Sequence, residues 1–180
     1  MNESSELQES AHHEAAHAVV HFYFGHELES ITIEPDGRGR CTLSDDWRRE
    51  IDIARVQRLV ENEFLLEQLI SDAAGKVCED RLRGTTEQNW RARRSGRDHE
   101  RASATALRLS GGDEQAALHL LKWAECMSRA MVEQHWLKVE KLANAITKKQ
   151  RFTGNGKFSR AEIRAVLLGS SGRNGSNGER

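Results

Sequence analysis

The sequence contains few of the residues that interrupt helices or cross-link chains. Its 180 residues include a single proline, Pro35, and three widely spaced cysteines with no C-x-x-C pair. Cysteines in this pattern argue against both a disulfide framework and a thiolate zinc site. Because proline is so rare and glycine is missing from long stretches, helices can run far without interruption.

Long apolar runs and a strong charge of either sign are also missing. No apolar segment is long enough to cross a bilayer, and residues 1–10 are polar and acidic, unlike a targeting leader. The formal net charge is -1 although 31% of the residues are charged, so we expect no general attraction to nucleic acid or anionic membranes. These properties predict a soluble, cytoplasmic protein with no nucleic-acid or membrane partner.

The length favours one globular domain rather than two. We place that domain at residues 1–168. The remaining segment, 169–180, is polar and rich in glycine, and this composition predicts a disordered tail. We therefore expect all of the chemistry within one folded unit.

The apolar pattern predicts a mainly helical fold with one small β-hairpin. Alternating residues over 28–34, the turn signal Pro35-Asp36-Gly37 and a return over 38–43 predict the hairpin. Ser159 followed by Glu162 is typical of the capping box of a last short helix, which ends near Leu168. Apolar residues at helical spacing predict the other helices, at about residues 5–24, 47–82, 98–110 and 114–149.

The segment that is most informative about function begins at His13 and reads His-Glu-Ala-Ala-His, which matches the pattern H-E-x-x-H. Residues four apart project from nearly the same face of a helix, so His13 and His17 can bind one ion while Glu14 lies beside it. A zinc ion held in this way polarises a carbonyl and activates water, and Glu14 would be the general base. The pattern predicts a zinc-dependent peptidase. The alternative is a pair of hydrogen-bonded histidines in the core.

A catalytic zinc ion needs a third protein ligand, and the residues alone leave two candidates. Asp98 opens a helix and lies on its less polar face, where a carboxylate requires a cationic partner, although an acid there also complements the helix dipole. Glu79 lies one turn beyond Gly75, and the glycine would allow a metal site to come close. The other histidines are poorer candidates, because we expect His21 in the core or behind the ligands and His12 on the surface.

Three segments match motifs that occur together in one known family. Residues 13–20 are similar to the motif H-E-A-G-H-A-[IV]-V, residues 74–79 to G-G-R-x-A-E, and residues 95–102 to S-N-D-L-x-x-A-T. Together they resemble the peptidase domain of the FtsH-type ATP-dependent zinc metalloproteases. The resemblance implies that Asp98 is the third zinc ligand and that Glu79 lies behind the ligands.

The resemblance extends over about residues 8–168 and implies further properties. In the family the edge strand of the hairpin pairs with extended substrate, which would give a peptidase broad sequence tolerance. This chain departs from the family pattern in four ways. Ala16 replaces the motif glycine, Arg97 replaces the asparagine before the aspartate, and the loop before Asp98 is longer and more basic. No G-x-x-x-x-G-K-[ST] phosphate loop is present. We therefore expect a stand-alone domain without the ATPase module or a membrane anchor. Its substrate would be a flexible peptide or an unfolded protein. Its other expected partner is a separate unfoldase or further copies of the same chain in a homo-oligomer.

Two other functions remain open at this point. A regulatory metalloprotease that cleaves a repressor would share the zinc helix but use a glutamate such as Glu79 as its third ligand. A catalytically silent binding module would keep zinc only for stability, and the presence of Glu14 argues against it. The expected site is a Zn²⁺ ion bound by His13, His17 and Asp98, with Glu14 as the catalytic residue.

Overall fold

Six helices and three strands form the part of the chain that the computed structural model describes, which is residues 3–34, 37–44, 58–84, 96–154 and 156–169. The helices are α1 (Glu3–Tyr23), α2 (Arg58–Arg83), α3 (Arg97–Leu109), α4 (Glu114–Gln134), α5 (Trp136–Thr153) and α6 (Arg160–Leu168). The strands are β1 (Leu28–Ile33), β2 (Gly39–Leu43) and β3 (Phe158–Ser159). The predicted mainly helical fold with a small β-hairpin is confirmed. No described helix is long and apolar enough to span a membrane.

The strands form a small antiparallel sheet in the order β2–β1–β3. β1 and β2 are the predicted hairpin, in which Ile31 lies opposite Cys41. β3 is an addition to the prediction, since Phe158 pairs with the other side of β1 at Ile31. A strand of two residues shows no readable alternation, so the apolar pattern could not identify it.

α1 is the central helix and packs against both α2 and α5. Its residues from Ala11 to Val20 are all buried except His13, which is partly exposed. Ala15, Ala16 and Ala18 are completely buried, and their small side chains allow the neighbouring helices to approach the α1 backbone. The H-E-x-x-H segment therefore lies inside the protein rather than on its surface.

Two details of the helices differ from the predictions. The expected surface position of His12 is wrong, because its exposed fraction is 4% and its ring stacks on Trp136. The single helical stretch expected over 114–149 is two helices, α4 and α5, separated at His135 (φ -113°, ψ 18°). Neither proline nor glycine marks this break, so the residue pattern does not predict it.

The C-terminal helix follows the prediction closely. The Ser159 hydroxyl accepts a hydrogen bond from the Glu162 backbone, and the Glu162 carboxylate accepts one from the Ser159 backbone. This reciprocal pair is the predicted capping box, and α6 ends at Leu168 as expected. The beginning of the predicted helix over 47–82, the hairpin residues Pro35 and Asp36, and most of the predicted tail lie outside the described residues.

Candidate metal centre

Three side chains from two helices meet at one point beside α2. His13 and His17 come from α1, and Asp98 comes from the first turn of α3. The two imidazole Nε2 atoms are 3.0 Å apart, and Asp98 Oδ2 lies 3.3 Å from that of His13 and 3.4 Å from that of His17. The three residues therefore form a group that could hold a metal ion.

The separations of these atoms fit tetrahedral coordination. Ligand atoms about 2.0–2.1 Å from a tetrahedral ion lie roughly 3.3 Å from one another. The observed values of 3.0, 3.3 and 3.4 Å are close to this separation. Two imidazole nitrogens and one carboxylate oxygen are a donor set that suits zinc and leaves a fourth position for water or substrate. The residues present thus fit a divalent ion such as zinc.

Hydrogen bonds at Nδ1 of each ring, the nitrogen that does not face the other candidate ligands, hold both imidazoles in place. His17 Nδ1 donates to the Ser71 carbonyl oxygen at 2.7 Å, and His13 Nδ1 donates to Glu79 Oε1 at 2.7 Å. A carbonyl oxygen and a carboxylate only accept hydrogen bonds, so each Nδ1 carries a proton and each Nε2 is turned toward the other donors. Metal-binding histidines in proteins are commonly oriented in this way.

Glu79, the rival third ligand, lies on the other side of the His13 ring from Asp98. It contacts Nδ1 of His13, whereas Asp98 contacts Nε2. The Glu79 carboxylate also lies 3.6 Å from Arg83 on the same helix. This arrangement matches the position behind the ligands that the resemblance implies for Glu79, and it disfavours Glu79 as a ligand.

Gly75 provides the space in which the His13 ring lies. A Cβ atom at position 75 would overlap with Nε2, Cε1 and Cδ2 of the His13 ring. Only glycine therefore allows α2 to pass so close to the imidazole. The expectation that this glycine permits a close approach is consistent with this geometry.

Glu14 lies between the three donors and the hairpin. Its exposed fraction is 7%, and it packs against Gly39 of β2, where a Cβ would overlap with the Glu14 side chain. The backbone N–H of Cys41 donates to its carboxylate. Burial raises the pKa of Glu14 above its ordinary value, although the charges of His17 and His13 oppose this shift. Glu14 is thus a buried acid with an increased proton affinity beside the candidate metal ligands.

The carboxylates beside His13 favour its protonated form. Burial lowers the pKa of His13, but hydrogen bonds to Asp98 and Glu79 outweigh burial and raise it to about 10. Burial raises the pKa of Asp98, but hydrogen bonds from His13 and His17 hold it well below its usual range. His13 is therefore an imidazolium at neutral pH, and Asp98 is a carboxylate.

His21 lies one turn beyond His17 and does not join the three donors. It is buried, and its Nδ1 lies 2.8 Å from Nδ1 of His26, whose Nε2 donates to Glu67 at 2.9 Å. Burial lowers the pKa of His21 and also that of His26. This position agrees with the expectation that His21 belongs to the core rather than to the ligand set.

The sequence patterns did not identify two residues of the centre, Ser71 and Arg101. Ser71 contributes only a backbone carbonyl, for which no side-chain signal exists. Arg101 contacts Asp98 from three residues further along α3, a helical spacing at which opposite charges commonly pair, so that contact could have been found.

No protein-family model matches the sequence, and no curated protein matches it.

The Gly75→Ala variant should lose most of its affinity for zinc. The new methyl group would force the His13 ring away from α2, and displacing a ligand or its support commonly weakens metal binding by about 10-fold to 100-fold. Zinc affinity is measured by competition with a chromophoric chelator. Alanine favours a helix over glycine by about 1 kcal/mol, so unchanged helix content in circular dichroism serves as the folding control. Wild-type affinity in the variant would contradict the assigned contact.

Zinc binding should release about one proton per ion at pH 7, because a metal ion requires the lone pair that the His13 proton occupies. Since the pKa of His13 is about 10, affinity should rise as the pH is raised toward that value. Calorimetric titrations in buffers with different ionisation enthalpies measure the proton count.

The Glu79→Gln variant is the control for this proton release. It weakens one of the contacts that raise the pKa of His13, so the pH above which zinc binding no longer releases this proton should be lower than in wild type. If the wild-type chain released no proton at neutral pH, the imidazolium assigned to His13 would be incorrect.

Proposed function

We propose that the chain is a zinc-dependent peptidase, with His13, His17 and Asp98 as zinc ligands and Glu14 as the general base. The observation that carries this proposal is the convergence of the three donor atoms within 3.4 Å of one another, beside a buried glutamate. The H-E-x-x-H spacing and the resemblance to the FtsH-type peptidase domains support the same function.

The chemistry of Glu14 follows from its surroundings. When bound, zinc would act as a Lewis acid that polarises the scissile carbonyl and acidifies water. Burial gives Glu14 an increased proton affinity, so its carboxylate can take a proton from the attacking water and pass it to the leaving amine. The Cys41 backbone N–H and the contact with Gly39 keep this carboxylate in one orientation.

The hairpin and a neighbouring cavity support an extended peptide as the substrate. Among the described strands, β2 lies at an edge of the sheet, and its residue Gly39 touches Glu14. A peptide that added to this edge by backbone hydrogen bonds would pass close to the general base. A cavity of about 320 Å³ adjoins His13 and Asp98, with Ala102 and Leu121 in its lining, and could receive a substrate side chain.

Wild-type protein should bind one zinc ion per chain and hydrolyse unfolded casein, whereas Glu14→Gln should keep the zinc and lose activity by at least about 100-fold. The glutamine has nearly the same shape but cannot take a proton. Metal content is measured by elemental analysis and hydrolysis by the release of labelled peptides.

His17→Ala is the matched control, because it should lose both the zinc and the activity. Equal casein cleavage by wild type and Glu14→Gln would contradict the peptidase. If zinc were still bound in that case, the chain would be a binding module that keeps the metal only for stability.

The Gly39→Ala variant should lower casein hydrolysis without changing zinc affinity. The three atoms nearest to a Cβ at this position all belong to the Glu14 side chain, with which it would overlap. The turnover number should therefore fall by about tenfold or more, since displacement of the general base removes part of its contribution. Unchanged turnover would show that Glu14 does not need its contact with β2.

A further inference from the structure

Arg101 links Asp98 to a second, deeply buried carboxylate on α2. Nη2 of Arg101 donates to Asp98 Oδ1 at 2.5 Å and to Asp72 Oδ1 at 2.8 Å. The Asp72 side chain is only 1% exposed, whereas that of Arg101 is 57% exposed. The guanidinium group thus bridges the first turns of α3 and the middle of α2.

The two oxygens of Asp98 have different partners. Oδ2 faces Nε2 of both His13 and His17, whereas Oδ1 faces Arg101. A carboxylate on a freely rotating side chain could offer either oxygen, or both, to an ion. The contact with Arg101 removes this freedom and leaves Oδ2 as the single oxygen directed at the other donors.

The burial of Asp72 gives Arg101 a fixed attachment point. Gln68 donates to Asp72 Oδ1 at 2.9 Å, the same oxygen that accepts from Arg101, and Oδ2 has no hydrogen-bond partner among the described residues. A buried carboxylate with one unsatisfied oxygen is costly, so Asp72 depends strongly on the positive charge of Arg101. In turn, a long and half-exposed arginine side chain loses its rotational freedom by this attachment.

We propose that Asp72 and Arg101 are positioning residues of the metal centre. Asp72 holds the guanidinium group of Arg101, and Arg101 holds Asp98 so that it binds a metal ion through Oδ2 alone. This inference rests on the proposed metal centre but not on peptidase activity. It concerns two residues outside the set of three candidate ligands.

The charge of Arg101 and its role in orienting Asp98 predict opposite changes in metal affinity when the side chain is removed. If only its charge mattered, removing a positive group from the neighbourhood of a bound cation would tighten metal binding. If its role is to orient Asp98, removing it would weaken metal binding, because the carboxylate would no longer be held in one geometry. The sign of the change in affinity therefore distinguishes the two effects.

The Arg101→Met variant should bind Zn²⁺ about 10-fold to 100-fold more weakly than wild type in a competition with a chromophoric chelator. Arg108→Met removes an exposed arginine from the same helix and should bind as wild type does. Co²⁺ used as a probe should give the strong visible absorption of a four-coordinate ion in wild type. In Arg101→Met this absorption should weaken and shift, because both carboxylate oxygens become available to the ion.

Asp72→Asn should also weaken zinc binding, but by less, since Arg101 keeps its contact with Asp98. Because Asp72 acts through Arg101, the double variant Asp72→Asn/Arg101→Met should bind zinc no more weakly than Arg101→Met. The double variant leaves no unpaired buried charge, so it remains a valid test even if Arg101→Met folds poorly. Asp80→Asn is the matched control, because Asp80 is another buried acid of α2 and pairs with Lys76.

Equal or tighter zinc binding by Arg101→Met, or by the double variant where the single one does not fold, would overturn the positioning role. An unchanged Co²⁺ spectrum would overturn it as well. If the effects of Asp72→Asn and Arg101→Met on zinc affinity were additive, the inference that Asp72 acts through Arg101 would be overturned. Failure of the wild-type protein to bind zinc would be a different result, since it would refute the metal centre itself.

Discussion

The constraint on which this structure depends is the fixed orientation of two imidazole rings. Hydrogen bonds from Nδ1 to Ser71 and Glu79 leave the Nε2 atoms of His13 and His17 only 3.0 Å apart. Two lone pairs at this distance repel each other, and the neighbouring Asp98 carboxylate adds a negative charge. Since α2 prevents the rings from turning away, a positive charge near the Nε2 atoms relieves this repulsion. A proton on His13 supplies it, and a metal ion could take the place of that proton.

Close packing of α1 against α2 is what makes this orientation possible. Gly75 removes the Cβ that would overlap with the His13 ring, and the small, completely buried Ala15 and Ala16 allow neighbouring elements to pack close to α1. Ala16 stands where the FtsH-type motif has glycine, and its methyl group is accommodated without separating His13 from His17. This departure from the family pattern therefore leaves the donor atoms together.

Helical periodicity predicted that His13 and His17 share one face of a helix, but it could not predict that Asp98 joins them. His13 and His17 are one turn apart, so their shared face followed from the sequence. Asp98 is separated from them by about eighty residues, and its own helix offered equal reasons for a ligand and for an N-terminal acid. The resemblance to a family broke this tie in favour of a ligand. The error at His12 has a different cause, since tertiary packing buries α1 on nearly every side from Ala11 to Val20.

Negative charge gathers around the centre. The carboxylates of Glu14, Glu79 and Asp98 adjoin the two histidines, and Asp72 lies behind Arg101. The nearby guanidinium groups of Arg101 and Arg83 are each shared between two acids, since Arg101 contacts both Asp72 and Asp98 and Arg83 contacts both Glu79 and Glu9. Because uncompensated charge is costly away from water, these acids favour a positive charge between the imidazoles. A divalent ion would supply two such charges and a proton on His13 only one. The acids that surround the ligands, and not the ligands alone, therefore contribute to a site that could hold a cation.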